Sequence, residues 1–136
     1  MKNILIVTAL MAGAVLGGCS KSYPSLYEVK GETFQSNQER TIAAAEDAIL
    51  DALRFRRWSV DEKKPGEIIA SLYKVDKETQ EQTYGAIIKV SYTENSYSIE
   101  YVDSKRMRYN PEEGTIHNTY NRWINNLRAD LGLAGY

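Results

Sequence analysis

One histidine and one cysteine are the only side chains of their kinds in this 136-residue sequence, so near-neutral acid–base chemistry and thiol chemistry have a single candidate each. Histidine is the side chain that ordinarily changes charge around neutral pH, and His117 is the only one present. A catalytic histidine needs a nucleophile or a second titrating group within reach. No glycine-framed serine elbow and no second histidine accompany His117. Tyr120 and Asn121 follow one turn later, which predicts a structural or helix-start role, with contact to a ligand as the alternative. The lone Cys19 excludes an intrachain disulfide and leaves no Cys/His cluster for a structural zinc ion. Two acidic pairs, Glu78 with Glu81 and Glu112 with Glu113, could offer oxygen to a cation. Neither stretch follows the twelve-residue EF-hand pattern, so both read as solvated loop carboxylates. Asn110-Pro111-Glu112-Glu113 reads alternatively as a helix start, with Asn as cap and Pro in the first turn. The expectation is a protein that is not an enzyme and holds no metal.

Charge narrows the partners. The 17 Lys and Arg balance 18 Asp and Glu to a net charge of −1, which gives no global field for a polyanion and excludes nucleic acid as the expected partner. A charged partner must be met locally, and two basic triplets stand out: Arg54, Arg56 and Arg57, then Lys105, Arg106 and Arg108. In an up-and-down meander the first strand starts and the fourth ends at the same edge of the sheet, which brings the triplets together. Guanidinium forks suit phosphate, so the cluster would hold an anionic head group or an acidic protein. The alternative is a set of solvated charges completing a helix C-terminus and a loop.

The elements that position these residues follow from periodicity. Ile42, Ala45, Ile49, Ala52 and Leu53 recur at three- and four-residue steps and predict a helix from Gln38 to Arg57, capped by Ser36 or Asn37, with Glu39 completing a capping box from Ser36. Four segments of period two follow: Trp58 and Val60; Ile68, Ala70 and Leu72; Ala86, Ile88, Val90 and Tyr92; Tyr97, Ile99 and Tyr101. Lys64-Pro65-Gly66-Glu67 and Glu94-Asn95-Ser96 supply tight turns, and a longer charged connection spans Val75 to Gln82. The alternate positions are mostly polar. Ile69, Tyr73 and Ile87 are exceptions and form a candidate protein-binding patch on the outer sheet face. After a polar stretch around Asp103 to Gly114, a second helix is predicted from Thr115 to Leu131, with the stripe Ile116, Tyr120, Trp123, Ile124, Leu127 and Leu131, stopped by Gly132 and Gly135. The predicted fold class is α+β: two layers, a four-stranded antiparallel meander, and an N-terminal and a C-terminal helix packed on one face.

The chain start has its own logic. Lys2 and Asn3 precede an apolar stretch, Ile4 to Leu16, too short to cross about 30 Å of hydrocarbon as a helix but of suitable length for a signal peptide. It ends in Leu16-Gly17-Gly18-Cys19, which resembles the lipobox of bacterial lipoproteins. The resemblance implies a signal peptide over 1–18, a diacylglycerol on the Cys19 thiol, an N-acyl chain on its new amino group, and no other cofactor. The alternative is an ordinary signal peptide followed by a free cysteine, a liability in an oxidising compartment. In that family Asp after the cysteine signals retention in the inner membrane, so Ser20 implies the outer membrane, periplasmic side, in a Gram-negative envelope. Residues 19–35 read as the lipidated N-terminus and a tether long enough to hold the domain clear of the lipid, although Tyr23, Leu26, Tyr27, Val29 and Phe34 suggest that part of it forms a strand on the domain. Residues 36–136 form the single domain.

From Ile42 to Leu131 the chain also resembles a family of small, functionally uncharacterised proteobacterial lipoproteins. The carriers are the closing-helix segment Ile116 to Leu127, Trp58 at the first strand, and the Tyr-rich hairpin Tyr97-Ser98-Ile99-Glu100-Tyr101. The layout is similar to helix-grip domains, among them that of the lipoprotein in the outer-membrane β-barrel assembly machine. The likeness is architectural, and fold does not transmit function. The expected function is a non-catalytic binding or assembly accessory at the envelope, whose partners are the membrane, an envelope protein or an anionic head group. An envelope hydrolase or a binder of anionic lipid or glycolipid head groups is the alternative.

Overall fold

Alternating apolar residues build the centre of the fold, as the computed structural model of residues 22–34 and 40–133 shows. Ile68, Ala70 and Leu72 on β3 (Glu67–Val75) and Ala86, Ile88, Val90 and Tyr92 on β4 (Gln82–Tyr92) all point to one buried face. Tyr97 and Ile99 on β5 (Ser96–Lys105) continue it. Pro65-Gly66 turns β2 (Ser59–Lys64) into β3, with Gly66 at φ 78°, a left-handed conformation that favours glycine. The helices α1 (Ile42–Phe55) and α2 (Asn118–Leu133) bury Ala45, Ile49 and Leu53, and Tyr120, Ile124, Leu127 and Leu131, in the same core. The result is a two-layer α+β fold with an open antiparallel sheet.

That sheet has five strands, where the sequence predicts four. Its order is β1-β5-β4-β3-β2, and the added strand β1 (Val29–Thr33) pairs antiparallel with β5. Residues 22–34, expected as a tether of which part forms a strand on the domain, are therefore largely part of the domain, and Val29 and Phe34 are buried in its core. A register shift between Val29 and Glu32, with Gly31 at φ 57°, breaks the alternation that would announce a strand. At the other edge, β2 is exposed at every residue. Trp58 just before it is buried as expected, but Val60 is 40% exposed, because a bulge between Val60 and Glu62 interrupts an edge strand of Asp, Glu and Lys.

Helix boundaries also differ from the pattern. The first helix starts at Ile42, capped by Thr41, whose Oγ1 accepts from the Ala44 N–H at 3.1 Å. Ser36, Asn37, Gln38 and Glu39 lie outside the described residues. Ile42 overhangs the core and is 49% exposed. The helix ends in a Schellman motif: the Trp58 N–H donates to the Leu53 carbonyl at 2.8 Å, and the Arg57 N–H to that of Arg54 at 3.0 Å. Arg57 takes the left-handed position at φ 64° that glycine usually fills. The second helix begins three residues later than predicted and runs through Gly132 to Leu133; Gly135 lies outside the described residues. Ile116 is buried but precedes the helix.

Candidate functional site

The N-terminal segment is sewn to the loop that leads into α2. Ser25 pairs with Thr115 as an antiparallel bridge, flanked by Leu26 N–H donating to the Gly114 carbonyl at 2.7 Å and Ile116 N–H to the Pro24 carbonyl at 3.0 Å. Asn121 completes the attachment: its Nδ2 donates to the Ser25 carbonyl at 2.8 Å and its Oδ1 accepts from the Tyr27 N–H at 2.9 Å. Further along, the Arg128 guanidinium bonds the Glu32 carboxylate at 2.7 Å. The path brings the Tyr23 ring to within 6.0 Å of the His117 ring, centroid to centroid. Cys19 and Ser20 lie outside the described residues.

His117 is the helix-start residue that its position predicts. Its Nδ1 accepts from the Thr119 N–H at 3.1 Å, which places the ring's proton on Nε2, and its carbonyl accepts from Tyr120 at 3.0 Å. Its own N–H donates to the Met107 carbonyl at 2.7 Å. Met107 is buried, although the surrounding stretch reads as polar, because Arg106 and Arg108 on either side take left-handed φ values of 53° and 55° and turn it inward. Thr83, Tyr84, Arg106, Met107, His117 and Thr119 line a surface cleft of about 300 Å³. Beside it Tyr84 stacks on Trp123 at 6.1 Å, Trp58 meets the same ring edge-on at 6.1 Å, and the Lys74 ammonium stands 5.9 Å from its centroid. Among the described residues no three His, Cys, Asp or Glu side chains converge as a metal site.

The two basic triplets share an end of the sheet but not a patch. Ser59, Ser71, Ile87 and Asp103 form one row across β2, β3, β4 and β5, so the start of β2 and the end of β5 lie about 14 Å apart with two strands between. On the first side Arg54 pairs with Asp51 at 3.4 Å, and Arg56 forks onto Asp130 with bonds of 2.6 and 2.8 Å. That carboxylate raises the already high pKa of Arg56. Arg57 serves the helix stop. On the second side the Lys105 ammonium donates to the Gln82 carbonyl at 2.9 Å, while Arg106 and Arg108 are exposed and make no ion pair among the described residues.

Ile69, Tyr73 and Ile87 stand on the outer sheet face as predicted, each half-buried. Tyr73 lies opposite Gly85, and its ring fills the space where a Cβ of Gly85 would stand. Burial, followed by the charges of Asp103 and Asp61, pushes the Tyr73 phenol up. Val102 is extruded where the β4–β5 register shifts between Ile87 and Ile88, and it is 49% exposed.

Sequence reasoning gave no sign of a second cluster. The Tyr92 hydroxyl donates to Glu46 Oε2, and the Lys63 ammonium bonds Oε1 at 2.8 Å. Lys63 first, then Tyr92, holds the Glu46 carboxyl below its ordinary range, while burial and Glu46 push the Tyr92 phenol up to about 12. These residues come from α1, β2 and β4, and no local spacing announces such a meeting. The acidic pairs prove to be turn residues. Asp76 Oδ1 accepts from Glu78 and Thr79 at 2.9 Å each, and Asn110 Oδ1 from Glu112 and Glu113 at 3.0 and 3.2 Å, so Asn110-Pro111 opens a capped turn and no helix. Compared with protein-family models and with curated proteins, the sequence matches none.

Proposed function

We propose that this protein is a lipid-anchored lipoprotein of the outer membrane, facing the periplasm, that binds or helps to assemble an envelope component without catalysing a reaction. The observation that carries the reading is the order of features in the first nineteen residues: Lys2, the apolar run Ile4 to Leu16, the small pair Gly17-Gly18, then Cys19. Two or more acyl chains anchor a protein stably where one does so only marginally, so a diacylglycerol plus an N-acyl chain would make it a permanent membrane resident. The open sheet face with Ile69, Tyr73 and Ile87 offers an envelope protein an apolar surface.

Intact-mass measurement of the membrane-extracted protein tests the anchor. The expected mass is that of the chain from Cys19 plus three acyl groups and glycerol; a free thiol at Cys19, or the mass of residues 1–136, overturns it. A photo-crosslinking residue at position 73, used in the native envelope, tests the binding role. Capture of one envelope protein that is lost on charge insertion at Ile87 is expected. The competing hydrolase reading would need His117, the only histidine, as its acid–base group, so turnover of an envelope ester or glycan that disappears in His117→Gln would replace the binding role.

A further inference from the structure

We propose that the end of the domain bearing the Tyr84, Arg106 and His117 cleft lies against the bilayer, and that Arg106 and Arg108 there engage the phosphates of net-anionic lipid head groups. This rests on the reading of Cys19 as acylated.

Chain length is the first argument. The docked segment begins beside His117, because the Tyr23 and His117 rings are 6.0 Å apart and the Pro24 carbonyl is bonded to Ile116. Cys19 stands four residues before Tyr23, about 14 Å at full extension. A sixteen-residue tether would let the domain drift clear of the lipid; four residues do not. The head-group zone of one leaflet is about 6 Å deep, so acyl chains on Cys19 bring the His117 side of the domain to its surface. The antiparallel Ser25–Thr115 pairing sets the direction. Towards Cys19 the segment runs past Ile116 and His117, away from Glu112 and Glu113.

Charge and surface chemistry are the second. The cleft has no carboxylate among its lining residues; it offers the Arg106 guanidinium and the hydroxyls of Thr83 and Thr119. Arg54 and Arg56 are neutralised by Asp51 and Asp130, whereas Arg106 and Arg108 are exposed with no ion pair among the described residues. The carboxylates of Glu78, Glu81, Glu112 and Glu113 belong to turns outside the cleft lining. Guanidinium forks match phosphate oxygens, and a basic residue beside an anionic leaflet strengthens association several-fold. Tyr84 and Tyr109, each 37% exposed, are amphipathic rings of the type enriched at membrane interfaces.

The test uses the lipidated full chain in vesicles, with Thr83→Cys at the cleft and Glu94→Cys in the β4–β5 turn, about 30 Å away along β4, as separate reporters. Acylated Cys19 has no free thiol, so a water-soluble maleimide reads the reporter alone. In vesicles containing phosphatidylglycerol, Thr83→Cys is expected to react up to about thirty-fold more slowly than in phosphatidylcholine alone, as two cations at an anionic surface would give. Glu94→Cys should react equally in both. The slowing should vanish in high salt and in Arg106→Glu/Arg108→Glu, whose folding is checked by circular dichroism. Inorganic phosphate added to phosphatidylcholine vesicles should not reproduce it; if it does, the cleft takes free phosphate and the membrane assignment fails. A chain without acyl mass overturns the lipoprotein reading and this inference with it. An acylated chain that labels equally in both vesicles, or whose slowing survives charge reversal, overturns this inference alone.

Discussion

Asn121 holds Tyr27 by its backbone: the side-chain Oδ1 accepts from the Tyr27 N–H at 2.9 Å, while Nδ2 returns a bond of 2.8 Å to the Ser25 carbonyl. One amide on α2 thus substitutes for a strand neighbour along a segment that has none on that side. Truncation in Asn121→Ala leaves a donor and an acceptor without protein partners, a loss of about 1–3 kcal/mol where such groups are shielded from water. The expected outcome is local. Hydrogen exchange and protease cleavage between residues 22 and 28 should rise, with the exchange of β3 and β4 unchanged; uniform loss of protection would show that the segment and the core unfold together.

Asn121 also shows where legibility in the sequence stops. Ile68, Ala70, Leu72, Ala86, Ile88 and Val90 alternate without interruption, so the two central strands and their buried face could be read directly. The strand at Val29–Thr33 was legible only as a cluster of apolar residues in the tether; its bounds and partner were not, because its bulge spoils the period and its partners Ile99 and Tyr97 lie far along the chain. Met107 sits alone among polar residues and is turned inward by backbone angles that no pattern encodes. The triplets at Arg54 and Lys105 were legible as sharing one end of the sheet, but the Asp130 partner of Arg56 and the wall of Trp58, Trp123 and Tyr84 depend on how α2 docks.

Arg57 at φ 64° makes α1 a candidate for stabilisation. A non-glycine residue in the left-handed region costs about 1–2 kcal/mol, and the Schellman bonds at Arg57 and Trp58 use only backbone groups. Arg57→Gly should therefore raise the free energy of unfolding by about 1 kcal/mol, the gain being reduced by the greater freedom of glycine in the unfolded chain. Urea denaturation with an unchanged slope and a higher midpoint is the check; an unchanged or lower midpoint refutes the strain.

Gly85 and Tyr73 form a second pair. A Cβ at position 85 would collide with the Tyr73 ring and with the backbone carbonyl of Leu72. Gly85→Ala should destabilise by about 1–3 kcal/mol, the usual range for overpacking. Tyr73→Ser alone should leave the fold intact, since Tyr73 is only half-buried on the outer face. The double variant should stay destabilised, because the Leu72 carbonyl remains in the way; full recovery would show that the ring alone requires glycine there.

The pH profile of stability should fall at both ends, each for a nameable reason. Lys63 and then Tyr92 hold the Glu46 carboxyl below its ordinary range, so its contribution is present above the pKa of an unfolded glutamate and is lost as pH falls through the lowered folded value. Glu46→Gln should weaken the acid dependence and lower stability at neutral pH. At the alkaline end the shifts have the opposite sign. Burial first, then Glu46, pushes the Tyr92 phenol up to about 12, and burial first, then Glu32, does the same for Tyr97, against about 10 for an unfolded tyrosine. The unfolded chain therefore loses these protons earlier, and stability present below pH ~10 should disappear between about 10 and 12. Tyrosinate absorbance followed together with circular dichroism checks this: a first group of exposed phenols ionises with the fold intact, and the remainder ionise only as ellipticity is lost. Complete ionisation at pH ~10 with the fold unchanged would show that these phenols are open to solvent.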